Sequence, residues 1–305
     1  MTVATEPTHT LADLEHWSFP GPALAVVGQP VAHSLSPVMH NAALAALADS
    51  RPEFAAWRYF KFDVAPADLK TALGLFHRNR FVGLNLTVPH KALAVSLLDS
   101  ADDFVRAAGA ANTLSVTTTG WRGTNTDGTG LTVGLREELG VTLTGAHVVL
   151  LGAGGAARGA AVACLREGCA SLWIGNRTAA TLRELVADLQ HLAGASPLHA
   201  FDLAQPPAGL PAGSVVINAT SLGLASGDAS PLDLSRIARP ACVYDMVYRP
   251  PQTALLRQAQ TLGVRHANGL SMLVHQGACS LELWTQAAVP VPIMQAAARS
   301  ALGAN

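Results

Sequence analysis

With 305 residues, half of them hydrophobic and 13% charged, the chain can bury two cores and lies far from a disordered composition. Lysines and arginines number 20 against 21 acids, a formal net charge of -1, so no electrostatic attraction to nucleic acid or to an acidic membrane is expected. There is no run of about 18 apolar residues, and Met1–Glu15 lacks the basic and apolar regions of a signal peptide.

Residues 1–20 read as an extension that is either disordered or holds a short helix capped by Thr10 and running to Trp17. A strand follows from Leu24 to Gln29. Then come Val31-Ala-His-Ser-Leu-Ser-Pro37 and a helix to about Ala48. Ser34 and Ser36 are offset by two, so an extended loop aims both hydroxyls the same way, as a small carboxylate needs. The simpler reading of Ser36 is a helix N-cap, with Pro37 in the first turn. Trp57–Val64 alternates as a strand does, and Pro66–His77 has helical spacing.

Phe81-Val-Gly-Leu leads into Asn85-Leu-Thr-Val-Pro-His-Lys91. Asn85 and Thr87 alternate with Leu86 and Val88, which puts an amide and a hydroxyl on one face of an extended chain. Lys91 opens a helix to about Leu98, and a second short helix is expected over Asp102–Ala107. Asn112 precedes a threonine-rich strand predicted over Ser115–Trp121, where its amide binds a ligand hydroxyl or closes a turn. Asp127 lies in the loop G-T-N-T-D-G-T-G, a composition common at reactive sites. Taken singly, Lys91 is a solvated lysine and Asp127 an N-cap. Brought together, they could move the proton of a substrate hydroxyl. The alternation of strand and helix up to about residue 125 argues for an α/β layer with mostly parallel strands.

After a helix over Thr129–Leu139 and a break, His147–Leu151 is a continuous apolar run, as in a buried parallel strand. Gly152-Ala153-Gly154-Gly155-Ala156-Ala157 follows, then a helix to about Glu167. This is G-x-G-x-x-A between a strand and a helix, the context of a dinucleotide fingerprint. Its backbone N–H groups would receive a pyrophosphate at the helix N-terminus. The next strand, Ser171–Ile174, runs on to Gly-Asn176-Arg177-Thr178 where an NAD site usually has an acid. Arg177 suits a 2′-phosphate, so NADP is favoured over NAD. Thr178 adds a hydroxyl or caps the helix after it.

Strands are expected at Leu198–Phe201, Ser214–Thr220 and Ala241–Val247, giving a doubly wound sheet. Asn218-Ala-Thr220-Ser falls at a strand's C-terminal end, where open α/β sheets bind ligands. Helices are predicted over Thr253–Leu262, from Asn268 to about Thr285 with Gln276 inside it, and over Pro292–Ala301, the last of which could return to the first domain. The cysteines, Cys164, Cys169, Cys242 and Cys279, form neither a CxxC pair nor a metal-ligand cluster. Free buried thiols in a reducing cytoplasm, and no metal, are expected.

Nine runs, in order from about residue 24 to 286, resemble the shikimate dehydrogenase family. They are Ser34-Leu-Ser-Pro37, Asn85-Leu-Thr-Val-Pro-His-Lys91, Gly109-Ala-Ala-Asn-Thr113, Gly123-Thr-Asn-Thr-Asp-Gly128, Gly152-Ala-Gly-Gly-Ala156, Asn176-Arg-Thr178, Asn218-Ala-Thr-Ser221, Tyr244-Asp-Met-Val-Tyr248 and Gly269-Leu-Ser-Met-Leu-Val-His-Gln276. The resemblance implies reversible hydride transfer between 3-dehydroshikimate and shikimate with NADP, in aromatic amino acid biosynthesis, by a cytoplasmic monomer or homodimer. It implies Lys91 and Asp127 as the catalytic pair. Ser34 and Ser36 would hold the carboxylate, with Tyr248 nearby, and Asn85, Thr87, Asn112, Asp127 and Gln276 would contact the substrate. The 152–156 loop, Asn176, Arg177, Thr178 and Thr220 would bind the dinucleotide, with Met246 and Gly269 along the nicotinamide.

The family fold implies an α/β chain with a cleft between two domains. A substrate-binding and catalytic domain at 21–128, joined by a terminal helix at about 287–305, would face a Rossmann-like NADP domain at 129–286. Two positions depart from the family pattern. A second basic residue often stands three after Thr178, where this chain has Thr181, with Arg183 two further on; and His90 stands where an aromatic is common. Three other readings are a quinate/shikimate dehydrogenase with broader substrate or NAD use, a two-domain NADP enzyme on amino-acid or folate-like substrates, and a non-enzymatic sensor of shikimate-like ligands. The Ser34/Ser36 loop argues against the second. Retention of both Lys91 and Asp127 argues against the third.

Overall fold

The structure, a computed structural model, describes residues 6–225 and 227–303; residues 1–5 and 304–305, the ends of the expected extension and of the expected terminal segment, lie outside the described residues. The chain forms two compact units, Met1–Thr126 with Val274–Asn305, and Asp127–Leu273. Among the described residues no helix is long and apolar enough to cross a membrane.

The first unit is built on a seven-stranded sheet. Its first elements are β1 (Thr8–His9) and α1 (Leu11–Glu15). Thr10 caps α1 as expected: its hydroxyl accepts the Asp13 N–H at 3.4 Å while the Asp13 carboxylate accepts the Thr10 N–H at 2.7 Å. The helix stops before Trp17, whose indole is drawn into an aromatic cluster with His9, Phe60, Phe62 and Phe81. β2 (Ala23–Gly28) is buried at all six positions, as a strand covered on both faces must be, and pairs in parallel with β3 (Arg58–Asp63) and β4 (Phe81–Leu86).

Helices α2 (Ser36–Ala48) and α3 (Leu69–Arg78) follow β2 and β3. The helix expected over Lys91–Leu98 is one turn, α4 (His90–Leu93), that tightens into a 3₁₀ segment at Ala94–Leu97 before Leu98 turns extended. Beyond β5 (Ser100–Ala101) and α5 (Asp103–Ala108), the predicted threonine-rich strand is two strands, β6 (Thr113–Val116) and β7 (Trp121–Thr124), paired antiparallel. The turn between them forms because Asp99 accepts the hydroxyls of Thr117 and Thr119, each at 2.7 Å. The strand order is β1-β3-β2-β4-β6-β7-β5. Phe62, Phe76, Phe81, Leu84 and Trp121 sit in its core, each large apolar side chain contributing roughly 1.5–3 kcal/mol by burial.

The second unit opens with α6 (Asp127–Leu139) and continues β8 (His147–Leu151), α7 (Gly155–Arg166), β9 (Ser171–Asn176), α8 (Ala179–Leu189), β10 (Leu198–Asp202), β11 (Val215–Asn218), β12 (Cys242–Asp245), α9 (Ala254–Thr261) and β13 (Arg265–Asn268). All its strand pairs are parallel, in the order β10-β9-β8-β11-β12-β13. Numbered within the sheet this is 3-2-1-4-5-6, the doubly wound order, with its switch point between β8 and β11. β13 escapes the sequence pattern because Arg265-His-Ala-Asn268 is a half-exposed edge strand without an apolar run. In α7, the buried Ala157, Gly159, Ala160 and Ala161 let the helix lie close on the sheet.

Helix α10 (Leu270–Thr285) passes from one unit to the other at Val274. The expected second domain runs to 286, but Gln276, Ser280 and Trp284 hydrogen-bond to Asn112, Asn85 and Leu114 of the first unit. The terminal helix α11 (Val291–Ala301) also lies in the first unit, packed on α2.

Candidate active site and cofactor-binding residues

The motif residues of the first unit surround the C-terminal ends of β2 and β4. The sequence makes Ser36 the expected N-cap of α2. It is instead the first helical residue, after the N-cap Leu35, which makes no side-chain capping bond; Ser34 accepts the Ser36 N–H on Oγ at 3.3 Å in the turn that leads into the helix. Of the hydroxyls in this region, that of Thr87 makes no hydrogen bond among the described residues, although its backbone is fixed: the Thr87 N–H donates to Val27 at 2.9 Å and its carbonyl accepts from His90 at 2.8 Å. His90 is buried, and its Nε2 pairs with the Val64 carbonyl at 2.9 Å. Burial holds that imidazole below its ordinary pKa.

Lys91 is half-buried on α4, and its carbonyl accepts the Ala111 N–H at 2.8 Å. The residue after Ala111, Asn112, is the hub of a buried polar network. Its Oδ1 accepts the Thr126 N–H at 2.8 Å and the Thr113 hydroxyl at 3.0 Å; its Nδ2 donates to Thr126 Oγ1 at 2.9 Å and to Gln276 Oε1 at 3.0 Å. The network continues through Ser280 to Asn85, whose Nδ2 donates to the Asn112 carbonyl, Thr113 Oγ1 and Ser280 Oγ at 3.1, 3.1 and 2.9 Å. Asn85, Asn112 and Gln276 are thus mutually oriented side chains and not separate polar residues. Asp127, 4% exposed, follows Thr126 as the first residue of α6, inside the helix and not at the cap position.

In the second unit the glycine turn joins β8 to α7 at the switch point. Gly152 has φ +113, and a methyl group there would come within 3.1 Å of the Ala219 backbone and 3.2 Å of Thr220, so only glycine fits. Gly154 differs: its φ is negative and a methyl group would meet nothing within 4 Å. No internal packing demands glycine there, which is the pattern expected where a ligand, not the protein, approaches the backbone. Gly154 is also the N-cap of α7 and leaves the first-turn N–H groups without a side-chain cap. Ala153 and Ala156 flank this turn, and Thr220 stands beyond β11 with its hydroxyl on Asn218 Oδ1 at 2.7 Å.

At the end of β9, Asn176 donates to the Thr178 carbonyl at 3.1 Å, the exposed Arg177 has no carboxylate partner among the described residues, and Thr178 holds the N-cap position of α8 without a capping bond. A guanidinium, a hydroxyl and uncapped helix N–H groups together fit a phosphate. Past β12, the Met246 N–H donates to the Asn218 carbonyl at 2.9 Å, and the Gly269 N–H donates to Val247 at 3.2 Å. A methyl group at Gly269 would press on the Met246 backbone. Behind them Asp245, fully buried, accepts from Thr253 Oγ1, Asn218 Nδ2 and the Val247 N–H at 2.6, 2.9 and 3.0 Å. Burial outweighs these three bonds and raises its carboxyl pKa. Neither Asp245 nor Thr253 stands out in the sequence as a site residue; the signal available is an acid at the end of an apolar strand. Tyr248 is partly buried, its phenol pushed up by burial. All four cysteines are free thiols, and among the described residues no group of three or more His, Cys, Asp or Glu side chains could hold a metal ion.

These features define a two-unit α/β protein with a doubly wound, dinucleotide-type sheet and, in the other unit, a polar network of Asn, Thr, Ser and Gln side chains. Residues 26–114 match the family described as the shikimate dehydrogenase substrate binding domain, and residues 269–299 the shikimate 5'-dehydrogenase C-terminal domain. The shikimate dehydrogenase (NADP(+)) of Geobacter metallireducens is 40% identical over 281 residues, covering 92% of this chain and 96% of its own. That of Symbiobacterium thermophilum is 41% identical over 292 residues, covering 93% and 95%. Among solved structures, shikimate 5-dehydrogenase from Thermus thermophilus in complex with NADP(H) and shikimate is similar at 34% identity and TM-score 0.79, covering 92% of this chain and 99% of its own. Quinate dehydrogenase from Corynebacterium glutamicum in complex with NAD is similar at 30% identity and TM-score 0.80, with the same coverage. The chain belongs to the shikimate dehydrogenase family.

Proposed function

We propose that this chain catalyses the reversible NADPH-dependent reduction of 3-dehydroshikimate to shikimate, on the route to chorismate and the aromatic amino acids, as a cytoplasmic enzyme acting as a monomer or homodimer. The observation that carries the reading is the frame built by Ala111 and Asn112. Ala111 fixes the backbone of Lys91, and Asn112 fixes Thr126 immediately before Asp127. Both members of the catalytic pair are therefore anchored to adjacent residues of one loop.

Ser34 and Ser36 hold the substrate carboxylate, Tyr248 is assigned to the substrate, and Asn85, Thr87, Asn112, Asp127 and Gln276 contact it. The Thr87 hydroxyl, without a hydrogen bond among the described residues, supports this role. Bound NADP supplies the hydride acceptor for oxidation, and NADPH the donor for reduction. As hydride leaves the carbon, the proton of its hydroxyl must leave too. Lys91 and Asp127 accept that proton as a pair and return it in the reduction, a contribution of roughly 10²–10⁴ in rate.

Cofactor contacts fall to the backbone of Gly152, Ala153, Gly154, Gly155 and Ala156 for the pyrophosphate. Asn176, Arg177 and Thr178 take the 2′-phosphate end, and Thr220, Met246 and Gly269 the nicotinamide side. Arg177, with no carboxylate partner among the described residues, favours NADP; an acid in that stretch would have favoured NAD. Absorbance at the nicotinamide band, with shikimate and quinate each crossed with NADP and NAD, tests the assignment. Shikimate with NADP should give the highest kcat/KM. A preference for quinate with NAD would move the chain to the quinate dehydrogenase reading, and no turnover in any combination would leave the sensor reading.

A further inference from the structure

Tyr59 and Lys61 stand two residues apart on β3, so their side chains leave the sheet on the same face. The Tyr59 ring is fully buried and stacks on His40 of α2, with centroids 4.0 Å apart. That imidazole pairs through Nδ1 with the Ser36 carbonyl at 2.8 Å, and the Tyr59 hydroxyl donates to Asn85 Oδ1 at 2.7 Å. The direction of that bond is fixed from the far side. Asn85 Nδ2 donates to the Asn112 backbone carbonyl, which can only accept, so Oδ1 is the end that faces Tyr59.

Lys61 extends toward the loop that precedes Ser36. Its Nζ donates to the Ala32 carbonyl at 2.7 Å, inside the turn closed by the Ser34 N–H on the Val31 carbonyl at 3.0 Å. An ammonium has three donors; among the described residues Lys61 has this one acceptor and no ion-pair partner. The acid whose charge reaches it, Glu6, is already engaged by Arg58 and Asn41. The whole residue is only 6% exposed. A lysine that merely covered the sheet with its stem would carry its head to water. This one ends on a loop carbonyl two residues before Ser34, as a buried cation with no ion-pair partner among the described residues.

We propose that Lys61 and Tyr59 are positioning residues for the substrate carboxylate: Lys61 pins the Val31–Ser34 turn and sets a positive charge behind it, while Tyr59, anchored by its hydroxyl on Asn85, braces the His40 ring that holds the Ser36 backbone carbonyl. This rests on the assignment of Ser34 and Ser36 to the carboxylate. The charge makes the loop attractive to an anion, and the contacts to the Ala32 and Ser36 carbonyls hold the backbone from which the two serines project.

The test compares Lys61→Met, Lys61→Arg, Tyr59→Phe and Ser34→Ala for kcat and for KM of shikimate and of NADP, with thermal unfolding of each. Lys61→Met should raise the shikimate KM roughly tenfold, the loss of a charge-assisted contact, with kcat and the NADP KM near parental values. Lys61→Arg, which keeps the charge, should recover most of that loss. The shikimate KM of Lys61→Met should also depend less on ionic strength than that of the parent. A folded Lys61→Met with parental KM overturns the proposal. If Ser34→Ala then raises KM, the carboxylate assignment survives alone; if Ser34→Ala is also silent, that assignment falls with it. Should Lys61→Met fail to fold, Tyr59→Phe decides: a raised shikimate KM at parental NADP KM supports the proposal, and unchanged values overturn it.

Discussion

Asn112 accepts the Thr126 backbone N–H on its carboxamide oxygen at 2.8 Å, and this single bond fixes the residue from which Asp127 departs. The same carboxamide donates to Thr126 Oγ1 and Gln276 Oε1, so all its polar atoms are engaged. Asn112→Ala should therefore lower kcat by about 10²-fold, the scale of a misplacement near 1 Å. Steady-state kinetics of the purified variant checks this. A change confined to the shikimate KM would make Asn112 a binding residue and nothing more.

The two glycines of the fingerprint separate folding from binding. Gly152→Ala forces a methyl group against Ala219 at a positive φ and should destabilise the second unit by about 1–3 kcal/mol. Gly154→Ala meets open space and should leave thermal unfolding unchanged while raising the NADP KM. Differential scanning calorimetry and NADP titration of both variants decide it. Equal loss of stability in the two would contradict the assignment of Gly154 to ligand approach.

Arg177 has no carboxylate partner to lose among the described residues. Arg177→Ala should weaken NADP by roughly 10–100-fold and NAD little, since a charge-assisted pair to the 2′-phosphate is worth about 1.5–3 kcal/mol. Binding titrations with both cofactors check this; equal weakening would remove Arg177 from the phosphate site.

His40 gives a pH signature of folding. It is fully buried, its Nδ1 pairs with the Ser36 carbonyl at 2.8 Å, and burial lowers its pKa from 6.5 to about 4. The unfolded chain therefore binds a proton between those values that the folded chain refuses. The stability contribution is present above pH 6.5 and is lost as the pH falls toward 4, on the order of 3 kcal/mol in all at 1.36 kcal/mol per unit. Urea unfolding of the parent and of His40→Asn should show a shallower acid dependence in the variant. Parallel curves would mean that His40 titrates normally.

How far the sequence carries depends on whether a feature is local. The glycine turn after β8, the Thr10 cap and the apolar strands of the second sheet all declare themselves within a dozen residues, because each rests on backbone conformation or period. The turn between β6 and β7 does not, since the carboxylate that shapes it, Asp99, lies 18 and 20 residues from the threonines it holds. The Asn85–Ser280 contact spans 195 positions. Such a network shows in the sequence only as unremarkable Asn, Ser and Tyr residues, which is why Tyr59, Lys61 and Ser280 carry no signal there. The cap of α2 differs from expectation for a related reason: both serines of the motif suit a cap, but the backbone places Leu35 at the cap position and Ser36 inside the helix.

The central claim, that Lys91 and Asp127 carry the proton transfer, is tested most directly by Lys91→Ala in the shikimate–NADP assay. Turnover should fall by roughly 10²–10⁴ with only a modest change in the shikimate KM, because the lysine acts on charge that develops in the transition state. Near-parental kcat with a raised KM would contradict the claim and leave Lys91 as a substrate-binding residue.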